Sequence, residues 1–514
     1  MRCSIVIPVH NGQRWIRAAV DSALAQVFVA SDGLPELYEV IVRDNASTDC
    51  TLEALADIED KRLRVVPSTK LLNGSHSEIK LGIVESFQAA FDLAKTPFVT
   101  VMGCDDLLDP DYLSSVMREF DSDEVAMVSC RPRFIDGDGA PYVNPQDTRT
   151  HIPMPPILPR EELKRVLRYG NMHFGINTYR RRAHIELGGF DPKTGWLLDW
   201  DIYLRILDRY EIRIIDRELC SLCLRMDCMS ALQMAQIPEQ HRYYNYVRRR
   251  AFAPSRNLKL AIATPFYMSQ EYSHYGESLI HTCHMLTRAG VEWELLRVNG
   301  DSYVDRAKNT LIANFLDTDC TDLLLIDSDE QWHPAAVSRL LQHPEEIVAA
   351  AYPFKNKWNS FAGNPLIQTE NGISSYMGHE LSDGSCLLEA YNVAGGFLRM
   401  KRSAIERFAD HYWQDVYVDD CAWPGRDGRI YTEFFNCAVI NHQRYGEDAN
   451  FSRRMRDIGT KLWIDPNITI THYGVKGWEG NLHQHILKPA EELAKIDTER
   501  KQMAEIHEKL KAAA

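Results

Sequence analysis

The chain has 514 residues, 45% hydrophobic and 25% charged, with a formal net charge of −14. That length exceeds one ordinary core, and two domains of about 250 residues each are the natural division. The acidic balance argues against broad nucleic-acid binding, which needs a basic surface, and no apolar run approaches the roughly 20 residues of a membrane span.

The opening MRCSIVIPVHNG has no signal-peptide layout and runs straight into a predicted strand, Ser4 to Val9. Arg14 to Gln26 has the i, i+3, i+4 apolar spacing of a helix. YEVIVRDN gives a second strand, ASTDCTLEALADI a capped helix, and LRVVPS a third strand. The helical stretch SEIKLGIVESFQAAFDLAK leads into strand PFVTVM and an acidic cluster, FVTVMGCDDLLDP from Phe98 to Pro110. Such alternation predicts an α/β fold with a mostly parallel sheet covered by helices. Ligands in such sheets bind beyond the carboxyl ends of the strands, where Asn11, Asp44 and Asp105 all fall.

Further on, HIPMPPILPREEL reads as a proline-rich loop entering a helix, and GGFDPKTGWLLDWDIYLRIL follows from Gly188 to Leu207. Arg180 to Arg182 and Arg248 to Arg250 are basic clusters whose plainest reading is a solvated face. The aperiodic RRRAFAPSRN reads as a linker over 248–257. Strand–helix alternation then restarts with LKLAIATPF and reaches a second acidic cluster, TDLLLIDSDEQWHP from Thr321 to Pro334. The domains are therefore expected at 1–247 and 258–486, followed by a charged helix over 487–514. Leu493, Ile496, Met503, Ile506 and Leu510 give that helix a narrow apolar stripe, for docking on its own domain or for a homo-oligomer contact.

The twelve cysteines are scattered, which suits reduced thiols in a cytoplasmic protein, with peripheral membrane attachment left open. Cys220, Cys223 and Cys228 offer three sulfurs at irregular spacing with no partnering pair, too few for a zinc site. Carboxylates at the ends of apolar strands repel and desolvate one another, and a divalent cation removes that cost. Hard ions such as Mg²⁺ or Mn²⁺ favour oxygen ligands and bridge to phosphates. The pattern occurs twice, so two metal-dependent sites are expected.

Four motifs in order across residues 1 to 245 resemble the family 2 glycosyltransferases of the GT-A fold. They are SIVIPVHNG, VIVRDNASTDCT, MGCDDLLDPDYL, and GNMHFGINTYRRRAHIELGGFD followed by LLDWDIYLR. The resemblance implies a nucleotide-sugar donor held by Pro8, Asn11, Asp44, Asp105 and Asp106, with Asp105 as the metal ligand. Asp199 takes the position of the family's general base, with Asp201 second and a mere helix cap the bland alternative for Asp199. Where many members carry a D-x-D triplet, this chain has Gly103–Cys104–Asp105.

From Leu258 to about His485 the chain more distantly resembles a second GT-A glycosyltransferase. An intact triplet, Asp327–Ser328–Asp329, follows DSYVDRAKNTLIANFL. By resemblance Arg306, Asn309 and Asp327 bind the donor, Asp327, Asp329 and His472 hold the metal, and Glu447 and Asp448 form the catalytic acidic pair. Lys355 reads as a phosphate contact or an exposed lysine. The acceptor loops are placed at Ile152 to Pro159 and Trp358 to Asp383.

Together these features imply a bifunctional glycosyltransferase using Mn²⁺ or Mg²⁺, moving sugar from a nucleotide-sugar donor, UDP-linked first among them, to a glycan or glycoconjugate hydroxyl. A modified nucleobase acceptor stays open. The alternatives are one catalytic domain beside a carbohydrate- or nucleotide-binding scaffold, or a non-catalytic glycan-binding protein. A nucleotidyltransferase fits less well, because SIVIPVHNG lacks a Gly-rich basic phosphate loop.

Overall fold

The computed structural model describes residues 3–28, 38–67, 70–72, 75–77, 80–144, 152–225, 236–266, 271–355, 360–370, 373–419, 429–474 and 477–481. The charged helix expected over 487–514, Cys228, and Trp358 of the expected acceptor loop lie outside the described residues. The chain divides into two compact units, Met1–Phe252 and Ala253–Ala514. Among the described residues no helix is long and apolar enough to cross a membrane.

The first unit runs β1 (Cys3–Val9), α1 (Ile16–Leu24), β2 (Tyr38–Asp44), β3 (Leu63–Val66), α2 (Ile83–Leu93), β4 (Phe98–Val101), β5 (Leu107–Leu108), α3 (Tyr112–Arg118) and β6 (Val125–Ile135). Then come α4 (Arg160–Leu167), β7 (Asn177–Arg180), α5 (Arg181–Glu186), α6 (Leu198–Leu207), β8 (Glu211–Cys223) and α7 (Ile237–Ala251). Its sheet has the order β3-β2-β1-β4-β7-β6-β8-β5. Every residue of β1 is buried, and its side chains alternate between two apolar layers: Ile5, Ile7 and Val9 face one, Val6 the other. Helix α1 covers the first layer with Ile16, Ala19, Val20 and Ala23, one stripe at helical spacing. Strand β4 pairs with β1 only as far as Val6. Two residues later Pro8 has no N–H to donate, and the sheet opens there.

The second unit runs β9 (Lys259–Phe266), α8 (Ser273–Arg288), β10 (Glu292–Asn299), α9 (Val304–Leu316), β11 (Asp322–Ile326), β12 (Glu330–Trp332), α10 (Pro334–Gln342) and β13 (Ile347–Ala350). It continues with β14 (Asn364–Pro365), β15 (Gly378–Glu380), β16 (Cys386–Asn392), β17 (Phe397–Lys401), α11 (Arg402–His411), α12 (Glu447–Asp457), β18 (Leu462–Asp465), β19 (Thr469–Tyr473) and β20 (Gly477–Asn481). The main sheet has the order β10-β9-β11-β17-β13-β18-β16-β14, with β15 paired to β16, and β12-β19-β20 form a small separate sheet.

Both sheets combine parallel strands with an antiparallel insertion: β7 enters the first antiparallel to β4 and β6, and β17 enters the second antiparallel to β11 and β13. Two sequence expectations need correction. Residues 46–58 form only a single tight turn, Glu53–Leu55, instead of a helix. There Thr51 and Asp49 side chains bond the backbone of Gly12 and Gln13 at 2.9 and 3.2 Å, drawing the segment into the neighbouring loop. Arg248 to Ala251, expected as linker, complete α7. Arg248 is buried and Arg250 bridges Asp191 and Asp201, both at 2.5 Å, so this cluster is no solvated face.

Candidate functional sites

In the first unit the loops after β1 and β2 are stitched together. Asn11 adopts a left-handed conformation (φ 53°), accepts from Thr48 N at 2.8 Å and donates its own N–H to Ser47 Oγ at 2.9 Å. Its amide side chain is thereby used within the loop. Asp44, at the end of β2, is buried and accepts from Ser47 N at 3.2 Å. Pro8 lies one strand-register step away, opposite Arg43.

The acidic loop after β4 meets this pair. A Cβ on Gly12 would stand 3.4 Å from Cys104 Sγ. Asp105 is held by Arg225 through two hydrogen bonds of 2.9 and 3.1 Å. The Arg225 guanidinium in turn lies 3.7 Å over the Trp15 ring. Asp106 accepts from Gly103 N at 3.1 Å and Cys223 N at 3.0 Å. Burial and the neighbouring Asp105 push its carboxyl up to about 7. Where the first aspartate of a triplet would stand, a Cβ on Gly103 would come within 2.7 Å of Asp106 Oδ2. The glycine therefore belongs to the packing of this loop.

Two carboxylates of α6 part company. Asp201 is fully buried, with one oxygen on Arg205 (2.6 Å) and the other on Arg250 (2.5 Å). Both are consumed in an ionic network between α6 and α7. Asp199 is spared that fate: its Oδ1 accepts from Trp200 N at 2.7 Å and Asn171 Nδ2 at 3.3 Å. Burial raises its carboxyl above the ordinary range. The helix N-cap itself is Leu197, so Asp199 does not occupy the capping position.

In the second unit the hydrogen bond from Asp327 N to Gly396 O, 2.8 Å, fixes the end of β11 against β17. Burial pushes the Asp327 carboxyl up to about 6, against the pull of Lys308. Asp329 accepts from Lys355 Nζ, so Lys355 joins the acidic loop. His472 lies opposite Glu330 in the β12–β19 pairing. Its Nδ1 is 3.0 Å from Pro353 O, and its Nε2 is 3.7 Å from Asp329 Oδ1. Nδ1 must donate to that carbonyl, which leaves an Nε2 lone pair facing the carboxylate, the tautomer that a metal-ligating imidazole needs. Burial also lowers the His472 pKa and favours the neutral ring.

Beside this loop Lys308 is almost wholly buried. Its Nζ lies 2.9 Å from Asp448 Oδ1 and 4.0 Å from Glu447. Burial opposes its charge, but Asp448, Asp327 and Glu447 outweigh that and raise its pKa. Asp448 Oδ2 accepts from Gly395 N at 2.9 Å, so both its oxygens are engaged. Arg306 and Asn309, assigned to the donor from sequence, are turned to other work. Arg306 bonds Asp301 at 2.8 Å, and Asn309 is buried, bonding the Phe434 and Phe435 backbone at 2.8 to 3.0 Å. Lys308, lying between them in sequence, faces the acids instead.

The two units answer differently to a divalent cation. In the first, Arg225 already neutralises Asp105 and backbone N–H groups occupy both Asp106 oxygens, so the set as arranged does not fit one. In the second, an outward imidazole lone pair, two loop aspartates and a crowded buried carboxylate, Glu330, do fit. Among the described residues, a tighter cluster of potential ligand atoms is Glu294, Asp319 and Cys320. There Lys259 reaches both carboxylates at 2.5 and 2.6 Å, which satisfies them without an ion. Glu330, Lys308 and Arg225 were missed from sequence. Position gives no sign of burial for the first two, and Arg225 lies 120 residues from Asp105.

Residues 4–188 match the family model described as Glycosyl transferase family 2. That match lies wholly within the first unit, Met1–Phe252. Chondroitin synthase of Pasteurella multocida is 30% identical over 204 residues, 40% of this chain and 18% of that synthase. An uncharacterized Mycobacterium tuberculosis protein, MT1568, is 27% identical over 225 residues, 42% of this chain and 65% of its own length. The chain thus spans less than a fifth of the Pasteurella synthase. The S. aureus TarS structure in complex with UDP aligns over 50% of this chain and 67% of TarS, at 16% identity and a TM-score of 0.36. The glycosyltransferase match covers Asn11, Asp44, Asp105 and Asp106 but ends before Asp199.

Proposed function

We propose that this chain is a bifunctional glycosyltransferase, each unit taking a nucleotide sugar and passing its sugar to a hydroxyl of a glycan or glycoconjugate. The observation that carries the reading is the family 2 match over residues 4–188, which contains the strand-end residues Asn11, Asp44, Asp105 and Asp106. The relatives' names, chondroitin synthase among them, favour a glycan acceptor.

In the first unit Asp44 takes the nucleoside and Arg225 meets the charge of the leaving diphosphate. Asp199 receives the acceptor proton as the hydroxyl attacks, a role served by a carboxyl raised toward neutral pH. In the second unit Asp327, Asp329 and His472 hold a divalent cation, which when bound neutralises charge on the diphosphate. Lys308 adds a fixed positive charge between that site and Asp448. Because Asp448 is engaged on both oxygens, Glu447 is the better proton acceptor of the pair and Asp448 positions Lys308.

A second reading has one specific support. The Arg225–Asp105 pair makes the first unit the candidate for a donor-binding scaffold with no turnover. The test is nucleoside diphosphate release from a panel of UDP-, GDP- and dTDP-sugars, with glycan acceptors, by the parent chain, Asp199→Ala and Asp329→Ala. Two products, each lost in one variant, support the bifunctional reading. Products untouched by Asp199→Ala and abolished by Asp329→Ala leave only the second unit catalytic. No release from any donor refutes both.

A further inference from the structure

Glu330, the residue after the Asp327–Ser328–Asp329 triplet, is completely buried. Among the described residues neither of its carboxylate oxygens has a hydrogen-bond partner. Such a group is rare, since a buried polar atom left unpaired forfeits the hydrogen bonds that water gave it. The obvious local cations are taken: Lys308 by Asp448 and Lys355 by Asp329.

Its direction is fixed by the glycine opposite. A Cβ on Gly396 would fall 2.6 Å from Glu330 Oε1, 2.7 Å from Tyr352 Oη and 2.8 Å from Asp327 Oδ2. Glu330 and Asp327 thus turn oxygens toward one small space, kept open by the missing side chain. The β12–β19 pairing sets Glu330 beside His472, whose Nε2 faces Asp329. Three carboxylates and an imidazole are therefore carried by the β11–β12 turn, β12 and β19.

We propose that Glu330 is a third carboxylate ligand of the second unit's divalent cation, additional to the aspartate triplet. The proposal rests on the cation-site reading given above. A bound ion would satisfy the stranded oxygens and relieve their crowding with Asp327. The unpaired state would then be one that the loaded site does not retain.

Mn²⁺ binding to the full chain tests this, followed by the electron paramagnetic resonance signal of the free aquo ion. An Asp105→Ala background removes the first unit's candidate oxygen ligand. In that background Glu330→Gln is expected to weaken Mn²⁺ binding about tenfold or more, as Asp327→Asn should. Glu330→Asp, which keeps a carboxylate on a shorter stem, falls between parent and Gln and serves if the Gln variant does not fold. Without cation, Glu330→Gln melts at or above the parent's temperature, since it removes a crowded charge; a purely structural glutamate would melt lower. Parent-like Mn²⁺ affinity in Glu330→Gln, with binding lost in Asp327→Asn, overturns the proposal and leaves the cation site standing. No Mn²⁺ binding by the parent overturns both.

Discussion

Two acidic loops follow two central strands in this chain, and they settle the same electrostatic problem by different means. After β4, Asp105 is neutralised by Arg225, an arginine stacked on Trp15, and Asp106 is capped by two backbone N–H groups. After β11, Glu330 has no hydrogen-bond partner among the described residues and Asp327 is raised by burial, while His472 turns Nε2 toward Asp329. A loop that carries its own counter-charge is complete without an ion. One that leaves buried carboxylate unpaired would gain from a positive charge, as the proposed cation would supply.

The largest effects should come from the proposed proton acceptors, and they test whether the loops serve separate reactions. Asp199→Asn is expected to lower one transfer by about 10²- to 10⁴-fold, and Glu447→Gln to lower the other by a similar factor, each sparing its counterpart. Product analysis with paired donors reads this directly. If either substitution removes both products, the units do not act independently and the comparison fails. Asp201→Asn gives a control two residues away. It should cost about 1–3 kcal/mol of first-unit stability in a denaturant titration, because it removes the buried charge between Arg205 and Arg250, which keep Asp191 and two backbone carbonyls as partners.

Chelation sharpens the contrast. EDTA should reduce the second unit's transfer about 100-fold or more while changing the first by less than about tenfold. Arg225→Gln should reverse the pattern, weakening donor binding in the first unit by about ten- to 100-fold. Equal loss of both activities on chelation would mean that Arg225 yields Asp105 to an ion, and that the two loops work alike.

Much of this was legible in the chain. The buried run Ser4 to Val9, the stripe on α1 and the apolar strand before each acidic cluster specify β1, α1, β4 and β11 by local pattern alone. What failed depended on partners distant in sequence. Thr48 to Thr51 read as residues capping a helix, but their hydroxyls and Asp49 serve the Asn11–Gln13 loop. Asn309 reads as a ligand contact until its amide is seen holding Phe434 and Phe435. Glu330 looks like any polar residue ahead of a helix, and only the pairing with His472 and the closeness of Gly396 reveal its burial.

Two glycines allow a smaller test of how tightly each loop is built. Gly396→Ala would drive a methyl group into Glu330, Tyr352 and Asp327 together, all within 2.8 Å. A stability loss of about 1–3 kcal/mol and weaker Mn²⁺ binding are expected. Gly103→Ala meets only the ends of Asp106 and Asp105, at 2.7 and 3.1 Å, and these side chains can turn aside. Its cost should be below about 1 kcal/mol by urea titration.

The pH dependence of stability without cation separates the two loops, and its sign follows from the raised carboxyls. Asp106 is pushed up to about 7 and Asp327 to about 6, against an ordinary value of 3.8. A folded pKa above the unfolded one contributes stability that is complete below the unfolded value and lost as pH rises through the folded value. Both aspartates should therefore make the cation-free protein less stable between pH 4 and 7, Asp327 finishing its share near pH 6 and Asp106 near pH 7. Urea midpoints for the parent, Asp106→Asn and Asp327→Asn across that range isolate each share as a difference in slope, while other groups cancel. Mn²⁺ above pH 6 should then erase the Asp327 share and leave that of Asp106, whose oxygens are already satisfied by Gly103 and Cys223. Removal of the Asp106 share as well would show that an ion enters the first loop past Arg225, and the distinction between a self-neutralised loop and an ion-completed one would no longer hold.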